Sequence, residues 1–287
     1  MGSNENEIEL ELAGIEVDAH IVRMVENGKV KMPPFPSVLA RVQAALAKGA
    51  GAPEVARLIG VDPALSAMLL RLVNSAMYVP VTGPIVALER AVQRLGVKEV
   101  TRVCMAAALG GPALSAGPLS DLRRMVWCDS LASAFISAAL ATEHSIPPEE
   151  AYVAGLLHDF GKILALSCME DAIGATPHLL LAGADWMALA EQHHLSLGWL
   201  MANLWGLPPP LPDVIQRHHE TPPTPVVQVV TIADAVIALM AKGEATTSEV
   251  QKIPGLKSPS QVNRLVKLVT MLPDVLSSFG VSRAKAA

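Results

Sequence analysis

Aromatic residues make up only 3% of the 287 residues. Sheet cores draw heavily on aromatic and β-branched side chains, so this scarcity disfavours a β-rich fold. Cysteine is nearly as sparse: Cys104, Cys128 and Cys168 are odd in number, far apart and without CxxC spacing. That excludes a disulfide framework and a cysteine zinc site, and it fits a reducing cytoplasm. Basic residues are 22 against 27 acidic, for a net charge of −5, and the basic ones form no continuous block. The electrostatic footprint of a nucleic-acid binder is therefore missing. Uninterrupted apolar runs of membrane-spanning length are also lacking. Val103 to Ser120 is broken by Gly110-Gly111-Pro112, and Leu195 to Pro212 by Pro208-Pro209-Pro210. Buried core helices are the expectation, with no membrane partner.

What is present is apolar and helical. Hydrophobic residues are 51% of the chain, mostly Ala, Leu, Val and Met, enough for a sizeable core of helices packed on helices. Residues 1–22 are polar and acidic, without the basic and apolar regions of a secretory signal, and read as a ragged leader. Val38, Leu39, Val42 and Leu46 share one helical face after Pro36-Ser37, and a short helix follows over Pro53 to Ile59. Asp62-Pro63 then offers a capping side chain and a proline at the first helical position. Leu65, Met68, Leu69, Leu72 and Val73 recur behind it at helical spacing. Leu88 to Leu95 and Val97 to Leu109 complete a first helical lobe, residues 23–110.

Gly110 to Ser120 reads as a boundary that can neither continue a helix nor pair as a strand. A second lobe, residues 111–241, is predicted to hold helices over Asp121 to Glu143, Pro148 to Leu166, Asp185 to Leu204, Leu211 to His219 and Pro225 to Met240. Residues 242–287 are read as a polar linker and a last helix, Gln261 to Phe279, stopped by Gly280. The fold class is all-α, a two-lobed multi-helix bundle.

Chemistry concentrates in the second lobe, where His158-Asp159, His193-His194 and His218-His219 precede Asp234. Neighbours on a helix point about 100° apart, so such doublets, if helical, can grip one ion from two sides or serve two ions. Imidazole with carboxylate suits iron, manganese or zinc, and a bridging Asp can help activate water against phosphate esters. A single histidine on an apolar helix is most often a satisfied core or surface residue. His20, His144 and His178 stand alone and are read that way, whereas repeated doublets call for a shared cause. Met68, Met77, Met105, Trp127, Trp199 and Trp205 are read as core, the last two flanking the histidine cluster. Asn74-Ser75 is read as a helix terminus.

The segment Gly155-Leu156-Leu157-His158-Asp159-Phe160-Gly161-Lys162 resembles the signature of the HD superfamily of metal-dependent phosphohydrolases. His194 with Gly198, Trp205 and Leu207-Pro208, then His218-His219-Glu220, then Ala233-Asp234-Ala235, resemble its later ligand segments. In the first lobe, Met32-Pro33-Pro34-Phe35-Pro36, Val61-Asp62-Pro63-Ala64-Leu65, Leu72-Val73-Asn74-Ser75 and Ala91-Val92-Gln93-Arg94-Leu95-Gly96 are similar to hallmark segments of the HDOD family.

That resemblance implies an HD-like second lobe in an all-α regulatory domain of bacterial signalling proteins. Such domains often stand beside receiver or cyclic-di-GMP-related modules, with no generally established catalysis. It implies candidate metal ligands Asp129, His158, Asp159, His194, His218, His219 and Asp234, with Asp129 where catalytic relatives carry their first ligand histidine. His218-His219-Glu220 continues into Thr221-Pro222-Pro223 and lacks the Gly-Tyr-Pro of the cyclic-di-GMP phosphodiesterase branch. The expectation is a partner-binding domain in the cytoplasm with a degenerate metal pocket. The alternative is a phosphohydrolase acting on a nucleotide or cyclic dinucleotide, with Asp159 and Lys162 as its working residues.

Overall fold

Side-chain caps and prolines fix several helix starts in this computed structural model, which describes residues 2–32, 37–78, 83–175, 183–220 and 224–282. The carboxylate of Asp62 accepts the amides of Ala64 and Leu65 at 2.9 and 3.1 Å. Thr224 does the same for Val227 and Ser258 for Gln261, each followed by proline. A cap of this kind contributes about 1 kcal/mol by satisfying an amide that the helix itself cannot.

The helices in chain order are α1 (Gly2–Glu26), α2 (Ser37–Ala47), α3 (Ala52–Gly60), α4 (Pro63–Val73), α5 (Leu88–Leu95), α6 (Val97–Leu114) and α7 (Ser120–Leu140). A 3₁₀ turn, Ala141–His144, separates these from α8 (Pro148–Leu157), α9 (Phe160–Ala175), α10 (Gly183–Leu204), α11 (Leu211–Arg217), α12 (Pro225–Lys242), α13 (Thr247–Val250) and α14 (Pro259–Ser278). Among the described residues there is no strand, and the all-α expectation holds.

Several boundaries differ from the sequence reading. The supposed leader is helical from Gly2 and continues to Glu26, because Val17, Ile21 and Met24 at helical spacing are buried. Gly110-Gly111-Pro112 does not end α6, which runs on to Leu114. Two glycines weaken a helix without forbidding it. The end of α6 is then held by Arg123, which donates to the carbonyls of Pro112 and Ser115 at 3.1 and 2.7 Å. The polar linker after α12 contains the short α13. Met77 lies beyond the end of α4, and Met68 and Met105 are half-buried, not core. Pro33 to Pro36, His178 and Thr221 to Pro223 lie outside the described residues, as do the side chains of Val38 and Leu39.

Contacts divide the chain into two compact units. The first comprises residues 1–33, 112–130 and 157–218, the second residues 34–111, 131–156 and 219–287. In the first, α9 and α10 pack closely, and a Cβ on Gly161 would collide with the His194 carbonyl. Phe160 is buried between Trp127 and Trp205, with ring centroids 6.4 and 6.1 Å away. Arg123, fully buried, pairs with Glu170, whose carboxylate also accepts the Leu119 amide at 2.7 Å.

In the second unit α3, α4 and α5 pack on one another through Val55, Ile59, Leu69, Leu72 and Val92. Asn74 caps α4 and also pins the incoming chain, donating to the Ile85 carbonyl and accepting its amide, both at 2.8 Å. That fits its reading as a helix terminus. Phe135 meets Tyr152 and Phe279 edge-on at 5.5 and 6.2 Å. Among the described residues two helical stretches, Ser120–His144 and Pro225–Lys242, are long and apolar enough to cross a membrane. The first has 72% of its apolar window buried inside the structure, as a core helix would.

Candidate metal centre

The His158-Asp159 pair does not sit within a helix, as the sequence reading had it, but in the two-residue turn between α8 and α9. The Asp159 carbonyl accepts the Lys162 amide at 2.9 Å, which starts α9 and brings Lys162 Nζ to 2.7 Å from Asp159 Oδ2. His218 and His219 likewise occupy the turn after α11. Only His193-His194 is truly helical, and its members part company. His193 turns to α1, its Nε2 2.8 Å from Asp18 Oδ1, while His194 turns into the pocket.

His158, His194 and His218 are 2%, 1% and 5% exposed. His194 Nδ1 lies 2.5 Å from the Glu191 carbonyl and His218 Nδ1 3.1 Å from the Ile215 carbonyl. A carbonyl can only accept, so each ring holds a proton on Nδ1 and turns its Nε2 into the pocket. Those two Nε2 atoms are 3.4 Å apart. Asp159 Oδ1 lies 3.7 Å from His194 Nε2 and 3.5 Å from His218 Nε2, and it is buried without a hydrogen-bond partner. A carboxylate oxygen facing two imidazole Nε2 atoms is a donor set that a divalent cation would suit. Nδ1 bound to a main-chain carbonyl is the usual outer support of a metal-binding histidine. His158 completes the cluster, Nε2 3.4 Å from Asp159 Oδ2 and its ring edge-on to His218 at 5.0 Å. His158, Asp159 and His218 form one compact ligand group.

Burial and near neighbours set the charges in the pocket. Burial alone would raise the Asp159 pKa, but His158, His218 and Lys162 around it hold it well below the carboxylate range. Burial pushes His194 down to about 4 despite Asp159, so its ring is neutral near pH 7. Lys162 is desolvated, yet Asp159 and Glu191 outweigh that and raise it.

The remaining predicted ligands are distributed as follows. Asp129 is half-buried on α7 in the first unit, and Asp234 half-buried on α12 in the second. His219 is exposed and is the first residue of the second unit. Sequence reasoning missed Glu191, one turn before His194, whose Oε2 is 2.7 Å from Lys162 Nζ and whose Oε1 is 3.9 Å from His194 Nε2. A Glu three residues before a ligand-type His on one helix face was the available signal. Trp199, read as core, is 43% exposed.

An all-helical chain with a His/Asp pocket at a helix junction is an HD-like fold. Residues 32–221 match the HDOD domain, and the chain belongs to that family. Its structure resembles that of a candidate metal-dependent phosphohydrolase from Shewanella amazonensis SB2B: TM-score 0.71, 18% identity, covering 93% of this chain and 99% of the other. An HDOD domain protein from Geobacter sulfurreducens gives a TM-score of 0.62 at 22% identity, covering 95% and 97%. In sequence, an uncharacterized protein of Treponema pallidum (strain Nichols) is 24% identical over 290 residues, covering 95% of this chain. The chain spans about half the length of that relative, 53%.

Proposed function

We propose that this chain is a cytoplasmic signal-transduction domain that acts by binding partner proteins, with a divalent ion held by Asp159, His194 and His218 as a structural or sensing element. Receiver and cyclic-di-GMP-related modules are the partner class that the HDOD resemblance supports. The observation that carries the reading is the position of Lys162. It is clamped between Asp159 and Glu191 at 2.7 Å each, so the residue that would hold a phosphate is engaged by two carboxylates. Aspartate at position 129 and the missing Gly-Tyr-Pro after Glu220 favour binding over turnover.

Manganese, iron or zinc would suit this donor set, and such an ion would supply Lewis acidity to a bound oxygen. The chain's own residues do the rest. Nδ1–H bonds fix the His194 and His218 rings, Asp159 supplies the anionic oxygen, and Lys162 anchors its other oxygen.

The phosphohydrolase reading is the second, favoured by the same ligand convergence. The two are separated by assaying the purified chain on nucleotides and cyclic dinucleotides with added manganese or iron, beside a His158→Ala, Asp159→Ala double variant. Metal-dependent turnover lost in the variant would reject the binding reading. An inactive wild type beside a destabilised variant supports it.

A further inference from the structure

We infer that Glu191 is a positioning residue of the metal centre: it makes the pocket a cation site by offsetting the charge of Lys162. The inference rests on reading Asp159, His194 and His218 as the ligands. Asp159 is shared between two claims. Its Oδ1 faces the imidazole nitrogens, while its Oδ2 is 2.7 Å from the Lys162 ammonium. An ammonium on one oxygen cancels much of the field that the carboxylate exerts at the other, and it repels a dication directly. With Asp159 and Lys162 alone the two opposite charges would nearly cancel at the pocket.

Glu191 restores the balance. Its Oε2 is 2.7 Å from the same ammonium, opposite in charge, and its Oε1 faces His194 Nε2 at 3.9 Å. The same residue's carbonyl fixes the His194 ring through Nδ1. That main-chain contact survives any side-chain change, so substitution isolates the carboxylate. At 49% side-chain exposure, Glu191 tolerates a glutamine without a buried polar group being stranded.

The test is Mn²⁺ binding to the chelator-treated full chain, followed by the electron paramagnetic resonance signal of free Mn²⁺. Wild type is compared with Glu191→Gln, Glu191→Asp, Lys162→Gln and the Lys162→Gln, Glu191→Gln double variant, each checked for a wild-type helical circular dichroism spectrum. Glu191→Gln should weaken binding by about tenfold or more, the range expected for an outer-sphere partner. Glu191→Asp should retain most of the affinity, and the double variant should recover to near wild type because the uncompensated ammonium is gone. Wild-type affinity in Glu191→Gln, or a double variant as weak as Glu191→Gln alone, would overturn the inference. A wild type that takes up no Mn²⁺ would instead sink the ligand reading on which it rests.

Discussion

His194 and His218 face each other across the pocket with their Nε2 atoms 3.4 Å apart, each ring held from behind by a main-chain carbonyl at Nδ1. Neither ring can turn to offer a proton to the other without giving up its bond to the backbone. The pair therefore aims two ring nitrogens at one point of the pocket.

A divalent ion should stabilise the protein. A ligand at one hundred times its Kd adds about 2.7 kcal/mol. Differential scanning calorimetry with Mn²⁺ or Zn²⁺ should show a rise in Tm for wild type and none for His194→Ala or His218→Ala. Equal rises in all three would place the ion elsewhere.

Gly161→Ala should destabilise the first unit. The added methyl meets the backbone carbonyl of His194, which cannot give way as a side chain could. Overpacking of this kind costs about 1–3 kcal/mol or more, and urea denaturation should register it together with weaker metal uptake.

Arg123→Met should be worse than the double variant Arg123→Met, Glu170→Met. The single change leaves the Glu170 carboxylate without its cation and the carbonyls of Pro112 and Ser115 without their donor. Breaking a buried pair costs about 3–5 kcal/mol, whereas replacing both partners with apolar groups is often near neutral. Equal losses in the two variants would assign the effect to the carbonyls alone.

The second unit carries a pH dependence of its own at His144. Burial, with Lys257 adding to it, lowers this histidine from its ordinary 6.5, against smaller opposing effects of Gln228 and Glu143. The folded chain thus binds fewer protons than the unfolded one below 6.5. The His144 contribution is whole above that value and is lost as pH falls toward the folded pKa, at no more than about 1.4 kcal/mol per pH unit. Denaturant melts of wild type and His144→Leu between pH 7.5 and 5 should differ in slope by that contribution. Parallel slopes would remove His144 from the account.

Much of this was legible in the residues. Asp62-Pro63 starts α4 and Gly280, at φ 76°, follows α14, as turn chemistry required. The doublets pointed to His158, Asp159, His194 and His218 as candidates, and the family resemblance put them in one ligand set. The break at His158-Asp159 was hidden because Leu156, Leu157, Phe160, Ile163 and Leu164 keep an apolar pattern that a two-residue turn does not interrupt. The length of α6 was hidden because Arg123, which holds its end, is remote in sequence from the proline that seemed to stop it. Glu191 was hidden among ordinary exposed acids, since its partner Lys162 belongs to another helix. The two units interleave along the chain, an arrangement set by contacts and not by composition.

The two histidines of α10 give that helix a setting it cannot change in part. His193 faces Asp18 of α1, which accepts a hydrogen bond from the neighbouring Gln192 at 3.1 Å, while His194 faces the pocket, on adjacent residues about 100° apart around one axis. Rotating α10 to tighten one attachment swings the other away. The seat of α1 and the aim of His194 Nε2 are therefore a single mechanical coordinate, and whatever shifts the first is felt one residue later at the second.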